Sequence, residues 1–135
     1  MKRTIGLALT AVVLGACSAV PPPVARLEGE VFYLQRSALP PNATLSVALQ
    51  DVTRPDSPAI TLARESGPVT GQVPLPFRLE YDPRQIESGH RYAVSARIEA
   101  DGKLLFINAG QAALGLDGSD PQPLRIRLNP ARLRP

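Results

Sequence analysis

Alternation of apolar and polar positions is the main pattern of this chain from residue 26 onward. In the first such stretch, every second residue is apolar or small: Leu27, Gly29, Val31 and Tyr33. Glu28 and Glu30 occupy positions between them. A period of two with charged residues opposite is typical of a half-buried β-strand. The stretch therefore predicts a strand with one face toward a core.

The same period returns in six further stretches: Ala43–Val52, Ile60–Leu62, Phe77–Tyr81, Arg91–Ala100, Lys103–Ile107 and Leu124–Leu128. Proline- and glycine-rich segments separate them, and helical periodicity is lacking after residue 25. Seven short strands with turn signals between them predict an all-β domain. We expect a seven-strand antiparallel β-sandwich, immunoglobulin-like or transthyretin-like, over residues 26–130, followed by a frayed tail over residues 131–135.

The dipeptide Asp101-Gly102 predicts a tight hairpin between the fifth and sixth strands. Both central residues of a type I′ turn need positive φ, which Asp and Gly tolerate. In a regular ladder, Ile98 then faces Leu105 and Ala96 faces Ile107, so all four point into the core.

The same register predicts that Leu104 and Phe106 point outward, next to Glu99 and Arg97. Two large apolar side chains together on an outer face need an explanation. One reading is that the long connection Asn108–Pro123 folds over them. The other is that Leu104, Phe106 and Arg97 form a docking strip for an apolar segment of a partner protein.

The first 25 residues follow a different pattern. Lys2 and Arg3 precede an apolar run that is too short for a membrane-spanning helix, which needs about 20 residues. This is typical of a signal peptide. The run ends in Leu14-Gly15-Ala16-Cys17, which resembles the lipobox of bacterial lipoproteins. The resemblance implies that residues 1–16 are removed and that Cys17 carries a diacylglycerol and an N-acyl chain.

Residues 17–25 would then form a tether, because Pro21-Pro22-Pro23 favours an extended polyproline conformation. Ser18 follows the cysteine, and for a lipoprotein of the enteric type this implies the outer membrane, with the domain toward the periplasm. Cys17 is the only cysteine, so its lipidation would leave no disulfide within the chain.

Charge and aromatic content argue against a nucleic-acid partner. With Lys2 and Arg3 removed, 13 of the 15 basic side chains remain against 12 acidic ones, a net charge of +1. Nucleic-acid binding needs a clear basic patch. Aromatic residues make up 4% of the chain, which leaves few stacking platforms for bases or sugars.

The loop before the second strand contains Arg36, Leu39, Pro40 and Pro41. We expect the prolines to end the first strand and Leu39 to tuck under the sheet edge. Arg36 is predicted to pair with Asp51 and tie the loop down. This assigns the segment a structural role ahead of a binding role, because ion pairs at a rim contribute only modestly.

No catalytic or metal-binding set stands out. A lone histidine, His90, follows Ser88-Gly89 and is interpreted as a solvated turn residue. Nucleophilic catalysis would need a serine and an orienting acid beside it. Residues 117–120, Asp-Gly-Ser-Asp, lack the further oxygen ligands of a calcium loop. We therefore expect a protein that is not an enzyme and needs no metal or cofactor other than its lipid.

Several of these segments together resemble the YbaY/YscW family of bacterial lipoproteins, and the chain is closer to its general YbaY type. The matching segments are Leu27–Val31, Arg36–Ala43, Leu45–Val52, Pro76–Leu79, Tyr92–Ile98 and Gly102–Phe106. The resemblance covers most of the chain after Cys17, and its Ala-Leu-Pro-Pro segment is the most specific part. The family includes the YscW pilotins of type III secretion, which escort an outer-membrane secretin ring.

The resemblance implies a membrane-anchored envelope lipoprotein that binds a protein partner, such as a secretin, and acts as a pilotin-like chaperone or assembly factor. The alternative is a periplasmic binder of a cell-wall glycan or small ligand. That role calls for a concave pocket with aromatic walls.

Overall fold

The computed structural model describes residues 6, 8–16, 20–108 and 113–132, and in this part the chain is all-β. Its strands are β1 Ala25–Phe32, β2 Thr44–Asp51, β3 Ile60–Pro68, β4 Leu75–Tyr81, β5 Tyr92–Ala100, β6 Lys103–Asn108, β7 Ala113–Leu114 and β8 Leu124–Pro130. A single 3₁₀ turn, Pro83–Gln85, is the helical element of this part. The seven predicted strands are present, and β7 adds a two-residue eighth inside the predicted long connection.

Residues 8–16 have neither helix nor strand. No helix among the described residues has the length and apolarity needed to cross a membrane. Cys17, the predicted lipid attachment site, lies outside the described residues.

The strands form one sheet in the order β3-β2-β5-β6-β8-β1-β4, and β7 pairs with β5. All pairs are antiparallel except β1 with β8, which are parallel. The expectation of a wholly antiparallel sheet is wrong for this pair. A tight turn forces antiparallel pairing, but β1 and β8 lie far apart in sequence. Because β8 runs antiparallel to β6, its direction beside β1 is already set.

The sheet curls until its first and last strands approach each other. Glu65 on β3 reaches across the gap, and its carboxylate accepts a hydrogen bond of 2.7 Å from the backbone N–H of Arg78 on β4. No backbone ladder joins these two strands among the described pairs. The architecture is therefore a nearly closed barrel with one seam, which matches the predicted sandwich only in part.

Strand β4 carries features that discourage further strand pairing at the seam. Pro74 and Pro76 predict an edge strand, and β4 does end the sheet. Since alternate N–H groups of a strand point to the same side, Pro76 occupies a seam-facing position like that of Arg78 and has no N–H to offer. Proline at such positions protects exposed sheet edges.

The core lies between the walls of this barrel and follows the predicted alternation. Its largest fully buried side chains come from β1, β2, β4, β5 and β8: Leu27, Val31, Val47, Leu49, Leu79, Tyr92, Ile98 and Leu128. Arg125 and Arg127 remain outside, as the alternation of β8 predicts.

Strand β3 is longer than the sequence predicts. It was expected to end near Leu62, with a loop from Glu65 to Gln72, but it continues to Pro68. Its last residues pair with the start of β2, Gly67 with Leu45 and Pro68 with Thr44. The neighbouring strand therefore outweighs the loop tendency of Gly and Pro, and Pro68 is tolerated because β3 is an edge strand.

The hairpin between β5 and β6 begins as predicted. Asp101 and Gly102 have φ of 51° and 73°, and Ala100 pairs with Lys103. Glu99 then pairs with Leu104, but a bulge follows, and Ile98 faces Phe106 rather than Leu105. One extra residue in a strand reverses the faces of all later residues.

The predicted outward direction of Phe106 is therefore wrong. Phe106 is 7% exposed, and its ring stacks on Tyr33 with centroids 4.1 Å apart and an interplanar angle of 6°. Ile107 was predicted to be buried but is 39% exposed and pairs with Arg97. Leu105 packs against the core while remaining half-buried. The Tyr33 ring supplies an apolar partner that the hairpin register alone does not reveal.

Asn108 fills the gap on β5 between β6 and β7. Its side-chain oxygen accepts from the N–H of Ala96 at 3.2 Å, and its Nδ2 donates to the carbonyl of Val94 at 2.8 Å. The side-chain amide thus stands in for a strand backbone and keeps β5 hydrogen-bonded.

Candidate binding site

The loop between β1 and β2 is held by its own hydrogen bonds and by Leu39. Leu39 is buried, as predicted, and its N–H donates to the Gln72 side chain at 2.8 Å. The Tyr33 hydroxyl donates to the Ser37 carbonyl at 2.6 Å. Pro40 accepts from the N–H of Ala43 at 3.1 Å, which turns the chain into β2. Leu39 therefore has the structural role that the sequence predicts, while Pro40 and Pro41 lie exposed in the turn.

The predicted pair between Arg36 and Asp51 is wrong. Arg36 is exposed and has no ion pair within the described part of the chain. It lies before the start of β2, whereas Asp51 ends that strand, and eight strand residues span roughly 23 Å. The two side chains therefore belong to opposite ends of the barrel.

Asp51 instead forms a cluster with Thr53, Glu87 and His90. The His90 Nδ1 lies 2.7 Å from the Asp51 Oδ2, and its Nε2 lies 2.9 Å from the Glu87 Oε2. The Thr53 backbone N–H donates to the Asp51 Oδ1 at 3.0 Å, and the Thr53 hydroxyl donates to the same oxygen. His90 is exposed and follows the turn at residues 88 and 89, as predicted, but both of its ring nitrogens have carboxylate partners, which the sequence did not predict.

The cluster shifts the pKa values of two of its members, Asp51 and His90. The hydrogen bond from the Thr53 side chain, followed by that from His90, lowers the pKa of Asp51 to about 2. The hydrogen bond to Asp51 raises the pKa of His90 above its ordinary value. Because both ring nitrogens face carboxylates, the imidazole has no nitrogen directed at a hydroxyl in this arrangement. The cluster joins the end of β2 to the turn before β5.

The acidic loop over residues 117–120 binds its own backbone. The Asp120 carboxylate accepts from the N–H groups of Gly115 and Leu116 at 2.9 and 2.8 Å. The Asp117 Oδ1 accepts from the Ser119 N–H at 3.0 Å. Within the described ranges, no three His, Cys, Asp or Glu side chains group together as metal ligands.

A cavity of about 130 Å³ opens at the seam between β3 and β4. Its walls are mainly apolar and come from β2, β3, β4 and the loop after β3: Leu45, Val47, Val69, Leu75 and Phe77. Glu65 also lines it and bonds across the seam. Gly67 faces open space, with no heavy atom within 4 Å of the position a Cβ would take. The cavity has room for one apolar side chain.

A second concavity lies on the outer wall and is polar. It encloses about 230 Å³ over β3, β2 and β5, and we call it the outer hollow. Its lining residues are Ser46, Val47, Ala48, Gln50, Arg64, Ser66, Ser95 and Arg97. Small residues form its floor, and two arginines come from its two sides.

Cross-strand pairing explains how the outer hollow is built. Ala48 on the central strand pairs with Arg64 on one side and with Ser95 on the other. Ser46 pairs with Ser66 and with Arg97 in the same way. Directly opposite residues share a face of the sheet, so all six point to the same outer surface.

Of the predicted partner-binding residues, the structure brings two to this wall. Arg97 lines the outer hollow, and Leu104 lies half-buried beside Glu99. Phe106 belongs to the core, and Ile107 takes its place next to Arg97. The sequence reasoning missed Arg64, because the third strand was expected to be short. Residues 62–66, Leu-Ala-Arg-Glu-Ser, carry no alternation of apolar and polar side chains that could have extended the strand.

Comparison with known proteins gives concordant matches. The family described as type III secretion system lipoprotein chaperone (YscW) matches residues 22–128. The uncharacterized lipoprotein YbaY of Escherichia coli strain K12 is 37% identical over 82 residues, 60% of this chain. The match spans 43% of the length of that lipoprotein.

A solved structure is also similar. The alternative pilotin from the type II secretion system of Vibrio cholerae superposes with a TM-score of 0.76 at 41% sequence identity. The superposition covers 82% of this chain and 99% of that chain. The resemblance found in the sequence is thereby confirmed.

Proposed function

The chain belongs to the YscW family of type III secretion system lipoprotein chaperones, and on this basis we propose that it is a pilotin-like chaperone of an outer-membrane complex. In this role it is a non-catalytic protein-binding module held at the outer membrane by lipids on Cys17. Its partner is a secretin subunit, which it accompanies to the membrane. The domain faces the periplasm.

The observation that carries the proposal is the likeness to the Vibrio cholerae pilotin, which extends over 99% of that chain at 41% identity. A likeness of this extent includes surface positions as well as the core. Fold alone is weak evidence of function, so the level of identity is what supports a shared role.

The tether fits this role. Cys17 precedes the first strand residue, Ala25, by eight positions, and three of the intervening residues are consecutive prolines. An extended polyproline segment rises about 3.1 Å per residue, which places the barrel within about 25 Å of its anchor. A partner beside the barrel would therefore be held close to the membrane surface.

Glycan binding has less support. Sugar-binding pockets usually need exposed aromatic walls, but Tyr33, Phe77, Tyr92 and Phe106 are all buried. The cavity at the seam, about 130 Å³, is smaller than the usual 300–1,000 Å³ of a small-molecule site. Two more open concavities of about 480 and 500 Å³ reach that size, but Phe77 is the one aromatic residue among those that line them.

Crosslinking in intact cells tests the proposal. The full chain with an affinity tag at its C-terminus is crosslinked, extracted from membranes and analysed by mass spectrometry, with Cys17→Ser as the control that cannot be lipidated. We expect a secretin to be captured by the lipidated protein and to be reduced in the outer-membrane fraction of the control. Recovery of peptidoglycan fragments without a secretin would favour the glycan alternative.

A further inference from the structure

The outer hollow presents hydrogen-bond donors in excess of acceptors. Two guanidinium groups and three serine hydroxyls line it, and the Ser46 and Ser66 hydroxyl oxygens lie 2.9 Å apart. Among the described residues, Arg97 forms an ion pair with Glu99, with 3.2 Å between its Nε and the carboxylate oxygen. Arg64 has no ion pair within the described part of the chain. Both guanidinium groups are exposed, so an anion that enters the outer hollow can reach them.

The spacing of the two arginines suits a group that enters between them. They stand on strands that flank β2, but Arg64 is opposite Ala48 and Arg97 is opposite Ser46. Their Cα atoms are therefore separated by about 10 Å across the sheet and by about 7 Å along the strands. Ala48 and Ser46 lie on the strand between them, and their short side chains leave the floor low. A carboxylate placed above Ala48 meets guanidinium groups from two sides, and guanidinium binds carboxylate through paired hydrogen bonds.

The apolar neighbours of the outer hollow favour a protein ligand. Ile107 is 39% exposed beside Arg97, and Leu104 is half-buried beside Glu99. A peptide offers carboxylates and apolar side chains together. The hollow also lies in the middle of β2, on the side wall, whereas the tether leaves from the end of the barrel at Ala25. A site on the side wall is accessible to a neighbouring protein, whereas the membrane lies at the end of the barrel from which the tether leaves.

We propose that the outer hollow is a docking site for an acidic segment of the partner protein, with Arg64 and Arg97 binding its carboxylates and Leu104 and Ile107 packing on its apolar side chains. That the acidic segment belongs to a secretin rests on the proposed function. The preference of the outer hollow for carboxylates depends on this chain alone.

Fluorescence anisotropy with the purified full chain tests the site. The probe is a labelled peptide of alternating glutamate and leucine, and the competitors are a lysine–leucine peptide, inorganic phosphate and vesicles with an anionic phospholipid. Arg64→Gln/Arg97→Gln removes the two cations of the hollow. Arg26→Gln/Arg78→Gln is the matched control, because it removes two cations from β1 and β4 that pair with glutamates.

We expect the hollow variant to bind the acidic peptide at least tenfold more weakly and the control variant to change affinity less than twofold. Binding should weaken with added salt, since exposed charges are screened. Equal loss in both variants, or no measurable binding by the unaltered protein, would overturn the proposal. Stronger competition by phosphate or anionic vesicles than by free acidic peptide would assign the hollow to a phosphate group instead.

The two proposals fail separately. If crosslinking captures a secretin equally well with the hollow variant and the unaltered protein, the docking site is wrong and the chaperone role stands. If the acidic peptide binds through the arginines but no secretin is captured from cells, the site stands and the partner is another protein.

Discussion

Replacing Phe106 by Ala should be among the most destabilising single changes in this barrel, whereas the same change at Ile107 should have a small effect. The bulge in β6 turns Phe106 inward, to 7% exposure, and leaves Ile107 39% exposed. In a regular hairpin, Ile107 would be buried and Phe106 would be exposed. The comparison of neighbouring residues therefore tests the register as well as the packing.

The size of the effect follows from the burial of Phe106. An aromatic side chain buries about 150–250 Å², and at about 25 cal/mol per Å² this corresponds to roughly 4–6 kcal/mol. Measured Phe→Ala changes in cores cost about 3–5 kcal/mol, and the stack on Tyr33 places Phe106 toward the upper end. Ile107→Ala should cost less than about 1.5 kcal/mol, since much of its surface already meets water.

Urea denaturation followed by far-ultraviolet circular dichroism measures both changes. With a urea m-value of about 2 kcal/mol/M, Phe106→Ala should lower the midpoint by about 1.5–2.5 M, and Ile107→Ala by well under 1 M. The m-values should stay equal, so that the shift reports stability. A larger loss for Ile107→Ala than for Phe106→Ala would refute the bulged register.

Four further substitutions test other parts of the barrel. Gly29→Ala should cost about 2–3 kcal/mol in urea, because the new Cβ would lie 2.5 Å from a β8 carbonyl oxygen, while Gly67→Ala, which faces open space, should be neutral or slightly stabilising. Asn108→Ala should cost about 1–3 kcal/mol and speed amide exchange in the middle of β5, because two backbone groups lose their partner; unchanged exchange there would contradict this. Below pH 6.5 the unaltered protein should be more stable than His90→Gln, because Asp51 stabilises the charged form of His90. This difference in the free energy of unfolding should vanish as the pH rises through the raised pKa of His90. The stabilisation of Asp51 by its partners should be present above pH 3.8 and fall as the pH drops toward about 2; a pH-independent difference would contradict the cluster.

Local chemistry made part of the fold predictable. The turn Asp101-Gly102 needs only two adjacent residues with positive φ, and both have it. Alternation likewise predicted which faces of β5 and β8 are buried, because a period of two depends on a single strand and not on its neighbours.

Features that depend on distant residues were not predictable in this way. The bulge in β6 is stabilised by the ring of Tyr33, which lies 73 positions before Phe106. The parallel pairing of β1 with β8 depends on the direction that β6 sets. No local pattern of apolar residues carries this information.

The two arginines of the candidate site differ in the same way: the pattern of one strand predicts Arg97, whereas Arg64 depends on a neighbouring strand. Arg97 was identified because its strand was recognised at its full length. Arg64 was missed because Gly67 and Pro68 suggested a loop, although β2 supplies the pairing that keeps them in a strand. The outer hollow exists only when the strands of the two arginines flank β2, which requires the strand order.

The most direct test of the chaperone role is the amount of assembled secretin in the outer membrane. Membranes are separated by density from cells with the unaltered gene, without it, and with Cys17→Ser, and the assembled secretin multimer is quantified in each fraction. We expect abundant multimer in the outer membrane of the first strain, and its loss or displacement to the inner membrane in the other two. Equal multimer in the outer membrane of all three strains would contradict the chaperone role.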